Sequence, residues 1–162
     1  MLPKCIMLGA RKQNEVPFQG VFEYVKLDIN PTPNKDVVGD ATSLTFEDET
    51  FEAVFASHLL EHISPRRYGN VIKEWYRILK PGGEMMLLVP NLAKAAEQIL
   101  TDPECPIYVS PAGPITALDM MMGLETDEGI PMVHRWGFTR ETLALRAKEM
   151  EWASGLVWEG RM

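Results

Sequence analysis

Along the first ninety residues, short apolar runs alternate with longer stretches of helical period. Few arrangements other than a layered α/β domain with a mostly parallel sheet accommodate that alternation. The runs at 4–8 (KCIML), 22–29 (FEYVKLDI), 36–38, 51–57 (FEAVFAS) and 84–89 (EMMLLV) have the length and β-branched or apolar character of buried strands. Five strands are therefore expected before residue 90, within a sheet of five to seven.

Between the fourth and fifth runs, Ser64-Pro65 reads as an N-cap with proline at the first helical position. The helix it opens is expected to reach about Leu79, because Ile72, Trp75, Tyr76 and Leu79 recur at steps of three and four on one face. Lys80-Pro81-Gly82-Gly83 then stops it and turns the chain. Further on, 91–100 has helical composition, and 101–114 reads as a proline-rich loop. The segment 117–124, with Met120, Met121 and Met122, reads as a short helix. Thr139 is placed to cap a last helix through about Met150, and 155–159 (GLVWE) to add a closing strand. Helices are expected on both faces of the sheet. The connection from Gly9 to Tyr24 is the exception: Pro17 and Gly20 interrupt it, so the first crossover helix is expected to be short or absent, although the two flanking strands remain parallel.

Composition narrows the partners. The 162 residues suit one domain, with 46% hydrophobic and 24% charged residues, and the net charge of −7 disfavours nucleic acid, whose phosphates call for clustered Lys and Arg. No apolar run is long enough to span a membrane, and the amino terminus lacks a basic leader or cleavage pattern, so a cytoplasmic protein without a targeting signal is expected. Cys5 and Cys105 are far apart and lack C-x-x-C spacing, which argues against a disulfide framework or a cysteine zinc site and suits a reducing compartment. Cys5, inside an apolar run, is read as a core residue.

In an open parallel sheet, ligands sit outside the carboxyl ends of the strands, near the point where strand order reverses. The residues expected there are Gly9, Asp28, Asp40 and the pair Ser57-His58. Asp28 lies 19 residues after Gly9, close to the spacing at which an acid meets a ribose diol; the competing reading is a turn cap before Asn30-Pro31. A full G-x-G-x-x-G is missing, since Ala10, Arg11 and Lys12 follow Gly9, so a pyrophosphate would find no glycine-lined cradle. NAD and FAD are disfavoured on that ground, and a nucleotide-sugar or dinucleotide enzyme ranks third among the functional readings.

The segments YVKLDIN, GDATSLTFEDETFEAVFASHLLEHI and WYRILKPGGEMMLLVPN, with the later DMMMG and HRWGFTRETL, resemble the small type-11-like group of class I S-adenosylmethionine-dependent methyltransferases. The resemblance covers more than half of the chain. It implies a Rossmann-like fold, with residues 1–90 as the cofactor half, 91–138 as a variable substrate region and 139–162 as a closing helix and strand. It also implies roles. Gly9 would let the backbone approach the methionyl part of S-adenosylmethionine, Asp28 would hold the ribose, Asp40 and Ala41 would meet the adenine, and Ser57 and His58 would line the floor beneath the sulfonium. The implied reaction is methyl transfer to a small molecule: a metabolite, a sugar or a lipid precursor. His134, ahead of Arg135-Trp136-Gly137-Phe138, is the candidate base for an acceptor that must lose a proton; structural packing is its competing reading. Tyr108, Asp119 and the three methionines fall in the region where substrate contacts are expected, and structural roles account for them more simply. In relatives the first motif is generally Gly-x-Gly, whereas this chain has Gly9-Ala10-Arg11. That departure supports an alternative in which the chain binds S-adenosylmethionine or S-adenosylhomocysteine without catalysis, as a subunit of a complex.

One motif lies outside these roles. His58-Leu59-Leu60-Glu61-His62 matches the H-x-x-E-H pattern of inverted zinc peptidases, which needs both histidines on one long helix. Ser64-Pro65 starts a new element two residues later, so Glu61 and His62 are read as residues that support the site from behind or simply pack, no metal is expected, and zinc proteolysis is the remote alternative. Trp136, Trp152 and Trp158 are read as candidates for covering an apolar edge through a second copy of the chain, a homodimer.

Overall fold

A computed structural model describes residues 1–10, 16, 18–31, 36–110, 113–125, 131–149 and 156–158. Strands β1 (Lys4–Leu8), β2 (Glu23–Asp28), β3 (Val37–Val38), β4 (Phe51–Ser57), β5 (Leu79–Leu88) and β10 (Leu156–Trp158) form one six-stranded sheet in the order β10-β5-β4-β1-β2-β3. Every pairing in it is parallel. The near-continuous apolar runs of β1 and β4 are buried along their length, as central parallel strands require.

Helix α1 (Tyr68–Arg77) supplies much of the core on one face of the sheet. Its buried residues Tyr68, Val71, Ile72 and Trp75 follow the i, i+3, i+4, i+7 rule and pack with Ile6, Leu8, Val54, Ala56, Met85 and Leu87. Two boundaries differ from expectation. Pro65–Arg67 forms a 3-10 turn before the helix, and Ser64 makes no side-chain cap. The helix also ends at Arg77, and Leu79 enters the sheet by pairing with Phe51. The expected turn at 80–83 lies inside β5, where the register shifts between Phe51↔Leu79 and Ala53↔Glu84.

Cys5, Met7, Ala53, Phe55 and Met86 form the cluster on the opposite face, with Val16 and Phe22 packed against it. Of the connection between β1 and β2, residues 11–15 and 17 lie outside the described residues, so the expectation of a short or absent crossover helix falls largely there; a turn closes it with Val21 N–H donating to the Phe18 carbonyl at 3.1 Å.

After the sheet, Asn91 caps α2 (Leu92–Thr101), and a β-hairpin of β6 (Pro106–Ser110) and β7 (Gly113–Thr116) replaces the expected loop. Proline restricts a strand only where it would have to donate, and a two-stranded ribbon has edges on both sides. Helix α3 (Ala117–Met122) follows, then a second hairpin of β8 (Gly123–Glu125) and β9 (Pro131–Val133), which sequence periodicity does not reveal because its strands are three residues long. Helix α4 (Arg140–Glu149) begins after Thr139, whose hydroxyl accepts from Thr142 N–H at 3.2 Å, and its Leu143 joins the main core.

Candidate functional site

Strand order reverses between β1 and β4, and the two strands are neighbours, so their carboxyl ends flank the crevice at which such sheets take ligands. Gly9 turns the chain at the end of β1 with φ of +68°, and a Cβ there would come within 3.1 Å of Leu59 Cδ1. The positive φ favours glycine, and a Cβ would also crowd the Leu59 side chain. Ala10 is buried, and its N–H donates to the Leu27 carbonyl at 3.1 Å, which ties the turn to β2.

Asp28 ends β2 and is 6% exposed, one of few buried acids among the described residues. Its Oδ1 accepts from Asn30 N–H at 2.9 Å, and its carbonyl from Gly39 N–H at 2.9 Å. The turn-cap reading and the pocket reading thus describe the same carboxylate. Asp40 is exposed and its Oδ1 accepts from Thr42 N–H at 2.7 Å, while Ala41 beside it is buried. Trp75 Nε1 donates to the Ala41 carbonyl at 2.7 Å.

Ser57, half-buried, closes β4 opposite Leu88. His58 follows with φ of +50°, a left-handed conformation that a non-glycine residue adopts at a cost of about 1 kcal/mol, and its N–H is held by the Leu88 carbonyl at 2.9 Å. The strained residue stands at the strand end facing the Gly9 turn.

His134 lies far along the chain yet beside this region. Gly123, at φ +89°, lets β8 press against β9 where any Cβ would overlap the Met132 carbonyl, and His134 emerges from the end of β9. Its N–H donates to the Met122 carbonyl at 3.0 Å and its Nδ1 to the Met120 carbonyl at 2.9 Å. A carbonyl can only accept, so Nδ1 carries the proton and Nε2 is left as the second nitrogen of the ring. Burial holds the His134 pKa below the ordinary value; Glu61 opposes that shift, and His62 and His58 reinforce it.

Sequence reasoning set aside Glu61 and His62, yet they meet His134. The H-x-x-E-H segment forms a short 3-10 turn, Leu60–His62, in place of the long helix a peptidase would need. The His62 and His134 rings sit edge to face with centroids 4.9 Å apart. His62 Nδ1 donates to the Val133 carbonyl at 3.1 Å, and the Glu61 carbonyl accepts from Arg135 N–H at 2.7 Å and Trp136 N–H at 3.3 Å. The Glu61 side chain is buried, and neither oxygen has a hydrogen-bond partner among the described residues. His58 Nδ1 approaches Oε1 at 3.3 Å, a distance that permits ion pairing but without hydrogen-bond alignment. Tyr68, whose hydroxyl is also buried without a partner among the described residues, has its pKa raised by burial and then by the Glu61 charge.

Two other candidates have structural duties. Asp119 completes a capping box with Thr116, receiving Thr116 N–H at 2.8 Å while its own N–H donates to the Thr116 hydroxyl at 3.2 Å. Tyr108, on β6, has its pKa raised by burial and by Asp119.

Residues 10–87 match the family model described as a methyltransferase domain. A C-methyltransferase of ubiquinone and menaquinone biosynthesis from Desulfotalea psychrophila is 45% identical over 51 residues, 32% of this chain and 20% of that protein. A demethylmenaquinone methyltransferase from Corynebacterium glutamicum is 33% identical over 92 residues, 46% of this chain and 39% of that protein. The chain thus spans well under half the length of either relative. Among solved structures, a Pyrococcus horikoshii protein superposes with a TM-score of 0.58 at 20% identity, covering 92% of this chain and 73% of that one. A Methanosarcina mazei S-adenosylmethionine-dependent methyltransferase does so with a TM-score of 0.53 at 16% identity, covering 92% and 79%.

Proposed function

We propose that this chain, which has the fold of class I methyltransferases, binds S-adenosylmethionine at the carboxyl ends of β1, β2 and β4 and catalyses methyl transfer to a small-molecule acceptor. The observation that carries the reading is the convergence of the Gly9 turn, the buried Asp28 and Ser57-His58 at the reversal of strand order, with Asp28 and Ser57-His58 inside the segment that matches a methyltransferase domain. The fit to the cofactor rests on chemistry already present: a turn where a Cβ would crowd Leu59, and carboxylates suited to ribose hydroxyls and to an exocyclic amine.

When bound, the cofactor supplies a methyl group on a sulfonium sulfur, which departs as a neutral thioether. Gly9 admits the methionyl part to the backbone, Asp28 holds the ribose, Asp40 and Ala41 hold the adenine, and Ser57 and His58 form the floor. Where the acceptor has a proton to lose as it gains its bond to carbon, His134 takes it at Nε2; the Met120 carbonyl keeps the ring in the tautomer that can do so. Residues 1–90 act as the cofactor half, 91–138 shape the acceptor site and 139–162 close the sheet. The acceptor belongs to the metabolite, sugar or lipid-precursor class, and the names of the two relatives favour a ring-bearing lipid precursor. A net charge of −7 weighs against nucleic acid, two free thiols suit the cytoplasm, and exposed Trp136 offers an edge for a homodimer. No helix among the described residues is long and apolar enough to cross a membrane.

Calorimetric titration with S-adenosylmethionine and S-adenosylhomocysteine, with NAD as control, tests the reading. Micromolar binding of the adenosyl ligands without NAD binding supports it, and absence of adenosyl binding overturns it. A second reading, binding without transfer, draws on Ala10, which fills its position in the first turn with a buried methyl group. Binding without turnover across an acceptor panel would favour that reading.

A further inference from the structure

Glu61 presents a problem that the methyl-transfer reading leaves unsolved. A carboxylate with no exposed surface and no hydrogen-bond partner among the described residues is a costly arrangement unless a cation joins it. Three imidazoles stand near it: the half-exposed His58, whose Nδ1 lies 3.3 Å from Oε1 without hydrogen-bond alignment, and the rings of His62 and His134. The donor atoms of Glu61, His62 and His134 all lie within 4.8 Å of one another. The His62 and His134 rings give their Nδ1 protons to backbone carbonyls, of Val133 at 3.1 Å and Met120 at 2.9 Å, an outer-shell arrangement that leaves each Nε2 as a potential ligand and fixes its direction.

We propose that Glu61, His62 and His134 form a binding site for a divalent transition-metal ion of the zinc type. Two imidazoles and one carboxylate suit zinc, cobalt or nickel, whereas magnesium and calcium prefer all-oxygen sets. With bonds of about 2.0–2.2 Å, tetrahedral donors would stand roughly 3.4 Å apart, so the three side chains, whose donor atoms lie within 4.8 Å of one another, would draw together around an ion. Three protein ligands leave a further position open. The H-x-x-E-H motif thus contributes its Glu and its second His, and the third ligand comes from the loop after β9 in place of His58. That loop is already pinned to the motif through the Glu61 carbonyl. The site goes beyond the methyl-transfer reading and meets it at one atom: an ion on His134 Nε2 takes the lone pair that the base step requires, so bound metal and base catalysis exclude each other.

The test is titration of metal-free, tag-free protein with Co²⁺, read by its visible ligand-field absorption, followed by displacement with Zn²⁺. One equivalent is expected to bind. Glu61→Gln and His134→Ala should each weaken binding by about 100-fold or more, and Cys105→Ala should leave it unchanged. Circular dichroism checks that each variant is folded. If His134→Ala is not, His134→Asn keeps an amide donor for the Met120 carbonyl while removing Nε2. Failure of the wild type to bind an equivalent, or unchanged affinity in the folded Glu61 and His134 variants, overturns the proposal. Either result is independent of whether S-adenosylmethionine binds.

Discussion

Trp75 Nε1 donates a 2.7 Å hydrogen bond to the Ala41 carbonyl, so the helix after β4 holds the loop that carries Asp40 and Ala41. The indole is completely buried, and replacing it with phenylalanine keeps most of the packing while orphaning that carbonyl. Trp75→Phe should therefore cost about 1–3 kcal/mol in urea denaturation. It should also weaken S-adenosylhomocysteine binding measured by calorimetry, because the proposed adenine contacts lose their anchor. Full stability in the variant would show that the bond contributes nothing.

Arg77 ties the end of α1 to the segment before β4. Its guanidinium pairs with Glu74 at 2.7 Å and Asp48 at 2.6 Å and also donates to the Phe46 carbonyl at 2.8 Å. Hydrogen bonds from Glu74 and Asp48 raise its pKa, and Arg77 in turn lowers that of Glu74, so the Arg77–Glu74 pair stays charged at neutral pH. Arg77→Ala should destabilise the chain by about 1–3 kcal/mol, chiefly by stranding the carbonyl and the partly buried Glu74. Arg77→Lys should recover only part of this, since an ammonium cannot reproduce the fork. Equal stability of the Arg, Lys and Ala forms would contradict the assignment.

Asp28→Ala should weaken binding of S-adenosylmethionine by one to a few kcal/mol, the scale of a lost charge-assisted hydrogen bond in a buried site. The same change removes the acceptor for Asn30 N–H, so thermal denaturation must accompany the titration. Unchanged affinity in the folded variant would end the ribose assignment.

The sheet was legible because buried parallel strands leave continuous apolar runs, and β1, β2 and β4 lie within a residue or so of the predicted positions. Helix α1 showed its face through Ile72 and Trp75, but its end at Arg77 depended on the Phe51–Leu79 pairing, a tertiary contact invisible to periodicity. The two hairpins after residue 105 escaped because three-to-five-residue strands rich in Gly and Pro look like loop. That Gly9, Asp28 and Ser57-His58 fall at strand ends could be read from the apolar runs alone. The meeting of Glu61 and His62 with His134 could not, since it joins residues more than seventy positions apart through the β8-β9 hairpin.

The two cysteines should differ sharply in reactivity. Cys5 has no exposed surface, and burial pushes its thiol up to about 12, while Cys105 is exposed. At pH 8 roughly one Cys5 thiol in ten thousand is ionised, and thiolate is the reacting form. An aromatic disulfide reagent should therefore titrate one thiol per native chain and two in denaturant, and Cys105→Ser should abolish the native reaction. Two fast-reacting thiols in native protein would contradict the buried position of β1.

His134→Ala should lower turnover by about 10²–10⁴-fold while leaving S-adenosylmethionine affinity nearly intact, the split expected of a general base that does not hold the cofactor. Burial keeps the His134 pKa below the ordinary 6.5, so the imidazole is neutral at pH 7 and has its lone pair available. Protonation removes that lone pair, so the rate should fall as pH drops through a value below 6.5, and that acidic limb should vanish in the variant. The assays belong in chelator, because an ion bound by Glu61, His62 and His134 would claim the same nitrogen. A variant that loses cofactor affinity together with turnover would transfer His134 from proton removal to binding. A wild-type rate that stays flat well below pH 6.5 would mean that the acceptor loses its proton without help from this ring.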